Sequence, residues 1–377
     1  MQPAVRPEVN IRASRNLSGA EVRGQRTFPG EAEGFAVGRQ IVRQAVLQPQ
    51  QGETAQDLAA DQFIPGRTAL FIQQFRLRLQ DLQPVCRQYG DHKLYKIACG
   101  PNGEDTNWTE VLMKNAAFCM DGLSMHNYTI PGSWEHKNRA TEFTEADYWE
   151  TLAIAADMER KIGLHSDIMD KYDPDKRIGL IIDEWGTWFE VEPGTNPGFL
   201  YQQNTMRDAM VAAIHLDLFN RHCDRVFMTN IAQTVNVLQA LVLTKDEQMI
   251  LTPTYHVYDL YQHHMDAKEL HCEFEAGRLG DSGHTVPGIT ASASEKDGMI
   301  TVTLSNLSPD RAEEVTISTG RPHGQVTGRI LHGSMNAYND FGNAPLHIEP
   351  FDGFTVGGGV LSVRMPACAV AEVRFSE

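Results

Sequence analysis

Basic residues are scarce in this 377-residue chain: 33 lysines and arginines stand against 49 aspartates and glutamates, a net charge of -16. That imbalance argues against nucleic acid or an anionic membrane as a partner, because like charges repel. No run of about 18 apolar residues is present, so no segment reads as a membrane-spanning helix. The first 30 residues lack an apolar stretch with basic flanks, so no secretory signal is visible. Six cysteines lie scattered, without a C-x-x-C pair or metal-ligand spacing, and read as free thiols of a reducing compartment. The expectation is a soluble, cytoplasmic protein with no nucleic-acid or membrane partner.

Residues 1–85 lack still more. They contain no Lys, His, Tyr, Trp or Cys, but 13 Gln and 10 Arg. With 8 acidic residues this stretch carries +2, which leaves -18 on the rest. No period of 2 or 3.6 is sustained there, although residues 63–82 are apolar enough for one helix. Residues 1–85 are therefore expected to form a separate, poorly ordered N-terminal segment.

Beyond Cys86 the pattern becomes regular. Short apolar runs at residues 94–99, 122–128, 178–182 and 226–230 read as buried strands. Helical segments are expected at residues 108–120, after the capping box Thr144-x-x-Asp147, at 202–222 and at 255–265. Strand alternating with helix implies right-handed parallel crossovers, hence an α/β layer or barrel, over residues 86–283. From about residue 284 the period switches to 2, with turns at Asp297-Gly298 and Gly357-Gly-Gly359. Residues 284–377 thus read as an antiparallel β-sandwich domain.

In a parallel barrel, reactive side chains stand at the C-terminal strand ends. Those ends carry Cys99 to Asp105, His126-Asn-Tyr128, Asp183-Glu-Trp-Gly-Thr-Trp188 and Asn230-Ile-Ala-Gln233. A carboxylate amid aromatic, amide, phenol and imidazole groups suits a sugar, whose C–H faces stack and whose hydroxyls need partners. Alone, Asp183-Glu184 could equally be a structural pair accepting backbone hydrogen bonds or an arginine. His126, Tyr128 and Gln233 could each be satisfied polar groups of the sheet. His263-His264 has no third ligand nearby in sequence, and no Ser or Cys has a base at nucleophile spacing.

Five ordered motifs carry a resemblance: Tyr95-Lys-Ile-Ala-Cys-Gly-Pro-Asn-Gly-Glu-Asp105, Leu123-Ser-Met-His-Asn-Tyr-Thr129, Asp183-Glu-Trp-Gly-Thr-Trp188, Pro193-Gly-Thr-Asn-Pro-Gly-Phe-Leu-Tyr-Gln-Gln203 and Asn230-Ile-Ala-Gln-Thr-Val-Asn236. From about Cys86 onward the sequence resembles the α-L-arabinofuranosidases of glycoside hydrolase family 51. The resemblance implies a (β/α)8 TIM-barrel hydrolase of the retaining type, followed by a C-terminal β-domain, with only barrel strands 5 to 8 represented here. It implies that Glu184 is the catalytic nucleophile, that Tyr128 orients it, and that His126, Trp188 and Gln233 line the arabinose subsite. It further implies release of terminal arabinofuranosyl residues from arabinose-containing oligosaccharides or polysaccharides, no metal or organic cofactor, and a homo-oligomer.

The family's acid/base glutamate belongs to an Asn-Glu pair followed by Trp-Gly, upstream of the Tyr95 motif. Here the register that best preserves spacing offers Asp61-Gln62, and no residue carries over. Barrel strands 1 to 4 and the N-terminal strand of the β-domain likewise have no recognisable counterpart. Altered composition and lost resemblance coincide, which suggests a foreign reading frame or a faulty join upstream of Cys86. Translating the source DNA in the other two frames checks this, since the Asn-Glu-x-Trp-Gly motif should surface in one of them. The rival expectation is a remnant that binds arabinosides, or nothing, without turnover; another is a retaining barrel glycosidase with a different sugar preference.

Overall fold

The computed structural model of the protein describes residues 8–13, 94–319 and 324–376. The helix expected at 63–82 and the Asp61-Gln62 position lie outside the described residues.

One strand precedes the α/β region: β1 (Glu8–Ala13). Then come β2 (Ile97–Ala98), β3 (Gly122–Thr129), β4 (Gly179–Thr187) and β5 (Val226–Ile231). These four form a parallel sheet in chain order, so every crossover steps to the adjacent strand in the same direction. Helix α1 (Thr106–Ala116) crosses from β2 to β3. Two helices, α2 (Glu145–Ala156) and α3 (Met158–Tyr172), return from β3 to β4. The single long helix expected there breaks at Asp157, which ends one helix and begins the next. Helix α4 (Met206–Arg221) joins β4 to β5.

Strand β4 is apolar through Leu180, Ile181 and Ile182, all sealed from solvent on both faces. Such a continuous run is what a sheet covered on both sides requires. Helix α4 is buried almost all round, because it packs against the sheet, α2 and the β-domain at once. Capping boxes start both α2 and α4: Thr144 with Asp147, and Thr205 with Asp208.

The chain continues through the hairpin β6 (Val242–Lys245) and β7 (Gln248–Leu251), then α5 (Pro253–Tyr261). The β-domain begins at β8 (Lys268–Glu275), earlier than the boundary expected near residue 284. A small hairpin, β9 (Arg278–Gly280) with β10 (Thr285–Pro287), leads into β11 (Ile289–Lys296) and β12 (Met299–Asn306). Strands β13 (Glu313–Ser318), β14 (Val326–His332), β15 (Glu349–Pro350), β16 (Phe354–Gly357), β17 (Val360–Met365) and β18 (Ala369–Ser376) complete it. Both expected glycine turns are present: Asp297-Gly298 and Gly358-Gly359 each join two paired strands, with positive φ at Asp297 and at all three glycines.

Strand β8 is shared between two layers. Its first residues pair antiparallel with β11, and residues 271–275 pair parallel with residues 8–12 of β1. A strand that switches sheets makes the corner of a sandwich. β1 also pairs antiparallel with β13, and Val9 and Ile11 are buried in the sandwich core. This corrects the expectation that the β-domain lacks an N-terminal strand, since residues 8–13 supply one. The Val9-x-Ile11 alternation fits the buried face of a strand, which a foreign frame running through all of residues 1–85 does not predict.

Candidate active site

Strands β3 and β4 run side by side with His126 opposite Glu184 and Tyr128 opposite Gly186. The pairing is irregular just below. Ser124 pairs with Ile181, so two steps along β3 match three along β4, and the extra residue is a bulge in β4. On the other side the β4–β5 register also shifts between Ile182 and Trp185. The sheet is therefore distorted at Asp183-Glu184, where its apolar run ends.

Tyr128 donates its hydroxyl to Glu184 Oε2 at 2.8 Å. His126 Nδ1 lies 3.3 Å from the same oxygen, and His126 Nε2 lies 3.3 Å from Asp183 Oδ1. The Glu184 side chain is 43 % exposed and that of Asp183 only 9 %, so Glu184 alone of the two is open to a ligand. The contact with Asp183 raises the His126 pKa above its usual value; the Glu184 charge adds to this and burial opposes it. Burial, then the hydrogen bond and charge of Glu184, push the Tyr128 phenol well above 10, so it stays a donor. At the end of β2, burial and then the charge of Asp183 raise the Cys99 thiol.

The two tryptophans of the β4 motif part company. Trp185 turns into the core against His215, Phe219 and Tyr258, so it is no sugar platform. Trp188 stands edge-on to Tyr128 with ring centroids 5.0 Å apart. Its backbone N–H donates to the Thr129 carbonyl at 3.0 Å, tying the chain there to the end of β3. Gly186 permits this divergence, since its φ of +143° is strained for a side chain and a Cβ there would press on Gln239. Behind the strand, Gln239 accepts the Thr187 N–H and Gln202 accepts the Phe189 N–H, both at 2.8 Å. The Gln202-Gln203 motif thus braces the strand end from inside.

His126, Tyr128, Glu184 and Trp188 therefore converge, as expected for a common site. Gln233 stands on the loop after β5 with its side chain exposed; among the described residues that side chain makes no hydrogen bond. Sequence reasoning passed over Trp134, which stands edge-on to Trp188 at 5.1 Å with Lys137 Nζ 4.5 Å above its ring. Nothing in the Pro131-Gly132 loop sequence marks that contact, which depends on how the loop folds back. His263 and His264, which have no third ligand nearby in sequence, face the β-domain: His263 contacts Glu372, and His264 Nδ1 and Nε2 lie 2.7 and 3.1 Å from Ser294 and Thr303.

A carboxylate held by a phenol and an imidazole at a strand end, beside an aromatic wall, can attack an electrophilic carbon or accept a proton. Residues 183–369 match the family model described as the alpha-L-arabinofuranosidase C-terminal domain. Over 296 residues the chain is 44% identical to an intracellular exo-alpha-L-arabinofuranosidase of Bacteroides ovatus, covering 77% of this chain and 57% of that relative. It superposes on the crystal structure of a GH51 arabinofuranosidase from Xanthomonas axonopodis pv. citri with a TM-score of 0.78 at 40% identity, covering 82% of this chain and 63% of that one. A family 51 α-L-arabinofuranosidase of Bifidobacterium longum shares the fold, with a TM-score of 0.65 at 22% identity over 75% of this chain and 59% of that one. The chain thus spans roughly three fifths of the length of these relatives, 57% of the Bacteroides ovatus protein and 63% of the Xanthomonas axonopodis structure. These neighbours imply a TIM-barrel-plus-β-sandwich architecture. Over the matched residues, the chain is similar to the α-L-arabinofuranosidases of glycoside hydrolase family 51.

Proposed function

We propose that the protein is a retaining glycoside hydrolase that releases terminal, non-reducing α-L-arabinofuranosyl residues from arabinan- or arabinoxylan-type oligosaccharides inside the cell. The observation that carries this reading is the open Glu184 carboxylate, held at 2.8 Å by the Tyr128 hydroxyl at the end of a buried parallel strand. In this reading β2 to β5 are barrel strands 5 to 8, the described residues 94–267 belong to the catalytic half, and β1 with β8 and the strands after it belongs to the β-domain. A homo-oligomer is the assembly expected of such a chain.

Glu184 attacks the anomeric carbon as the leaving oxygen departs, forming a glycosyl ester. Tyr128 fixes one carboxylate oxygen, which leaves the other to bond. Trp188 walls the sugar subsite, His126 offers a further donor, and Gln233 closes the subsite from the loop after β5. Water then cleaves the ester and restores the carboxylate.

A second reading is supported by the missing Asn-Glu pair: the chain holds arabinofuranosides but turns them over poorly. Retaining hydrolysis needs a second carboxyl group about 5–5.5 Å from the nucleophile to protonate the leaving oxygen. An arabinofuranoside of a very acidic phenol separates the readings, because that leaving group departs unprotonated. Intact-protein mass spectrometry should show a pentosyl adduct mapping to Glu184. A lasting adduct supports the second reading, and rapid turnover supports the first. Soluble protein giving neither adduct nor phenol would overturn both.

A further inference from the structure

We infer that Asp183 is a positioning residue that keeps both nitrogens of His126 protonated, so that the ring stands as a cation between Asp183 and Glu184, beside the Tyr128 hydroxyl. The inference deepens the glycosidase reading and rests on it for its kinetic consequence, but not for its chemistry.

A neutral imidazole has one N–H and one lone pair. Each ring nitrogen of His126 faces a carboxylate oxygen at 3.3 Å. A neutral ring would set its lone pair against one of those anions; only the imidazolium presents an N–H to each of them. Asp183 is the partner that enforces this state. Its Oδ1 is buried and, among the described residues, accepts no hydrogen bond of good geometry, so the charge of an imidazolium 3.3 Å away is what offsets it. Glu184, by contrast, is open to water and to substrate.

Consecutive residues of a regular strand point to opposite faces and could not meet on one ring. The bulge in β4 between the Ser124–Ile181 and His126–Glu184 pairs removes that obstacle. Bulges re-aim side chains in this way beside active sites. The titratable groups facing the ring are Asp183 and Glu184 from β4; Tyr128, on the same strand as His126, shares Glu184, and Cys99 at the end of β2 faces Asp183. The loop after β2 meets His126 through backbone, with the Gly103 N–H donating to its carbonyl at 2.8 Å and its own N–H donating to the Pro101 carbonyl at 3.1 Å.

When Glu184 becomes an ester it loses its charge, and His126 would then release its proton more readily were Asp183 not opposite. Asp183 thus keeps a cation in place through the covalent stage, ready to receive the carboxylate as water cleaves the ester.

The test is a nitrogen-15 titration of the histidine rings, with His126 assigned by its loss in His126→Gln. In the unaltered protein His126 should titrate above 6.5, and in Asp183→Asn its pKa should fall by at least about one unit. The alkaline limb of kcat/KM on the acidic-phenol arabinofuranoside should move down with it, so that the rate loss grows with pH. A uniform loss at all pH values, or equal His126 titration in both proteins, overturns the inference. If the unaltered protein releases no phenol, the glycosidase reading fails while the ring titration still decides the pairing. If Asp183→Asn does not fold, His126 titrating at or below 6.5 in the unaltered protein overturns it.

Discussion

Two tyrosine–carboxylate pairs in this molecule share one geometry and differ in everything around it. Tyr128 donates to Glu184 at 2.8 Å, and Tyr261 donates to Asp217 at 2.8 Å. The first pair stands at an open strand end beside an imidazole. The second is sealed where α4 meets the β-domain, and Thr290 and Ser292 add their hydroxyls to the same carboxylate. Burial lifts the Asp217 acid to about 6, against which its hydroxyl partners pull only partly. A short hydrogen bond therefore says little about chemistry. Access to a ligand and the imidazole beside it make Glu184 a candidate nucleophile, whereas burial among hydroxyls makes Asp217 a joint between α4 and the β-domain.

The comparison breaks most visibly at the carboxylates themselves. Glu184→Gln should slow phenol release from an activated arabinofuranoside by on the order of 10³-fold or more, with an unchanged melting temperature. Steady-state kinetics and a thermal melt read the two halves. Asp217→Ala should do the reverse, costing about 2–4 kcal/mol of stability as buried hydroxyls lose their acceptor. Urea unfolding would measure that loss, and adduct formation at Glu184 should persist at 25 °C.

The tyrosines sharpen the contrast at smaller amplitude. Tyr128→Phe should lower kcat/KM about 10- to 100-fold, the worth of one hydrogen bond to a charged group. Tyr261→Phe should leave kinetics alone and cost about 1–2 kcal/mol of stability. Equal kinetic effects from both substitutions would erase the distinction drawn here.

The two carboxylates also part in pH dependence. Asp217 binds its proton more tightly in the folded chain, at about 6 against an ordinary 3.8, so its contribution to stability is best at low pH. That contribution should decline as pH rises from about 4 through about 6. Calorimetric melting across this range should show the decline in the unaltered protein and a flatter profile in Asp217→Asn. Parallel profiles would mean that Asp217 does not titrate in that window.

Local signals were the legible ones. Thr144 and Asp147 reach each other within one helical turn, so their capping box is written in four residues. The Asp297-Gly298 and Gly358-Gly359 turns need positive φ, which their residue types announce. The strand-end residues His126, Tyr128 and Glu184 could be placed because parallel crossovers put such ends on one side of a sheet. Legibility failed where partners are distant. Val9 and Ile11 show a period of 2 over too few residues to stand out, and their contacts lie more than 250 residues away. The alternation of Leu270 and Cys272 marks β8, but a strand shared between sheets carries no local sign of its second partner. Nor could one distinguish the fates of Trp185 and Trp188, since the divergence depends on the backbone at Gly186.

The placing of β1 also shapes how the molecule must be made. Its neighbours, β8 and β13, begin at Lys268 and Glu313, so during synthesis this strand leaves the ribosome long before either exists. At ordinary translation speeds of about 5–20 residues per second, the wait is roughly 10–50 s. Throughout that interval a strand with two apolar side chains has both edges bare, a template for pairing with a neighbouring nascent chain. Delayed closure of this kind makes the opening residues a point of vulnerability in production, even though they lie far in sequence from the chemistry they help to support.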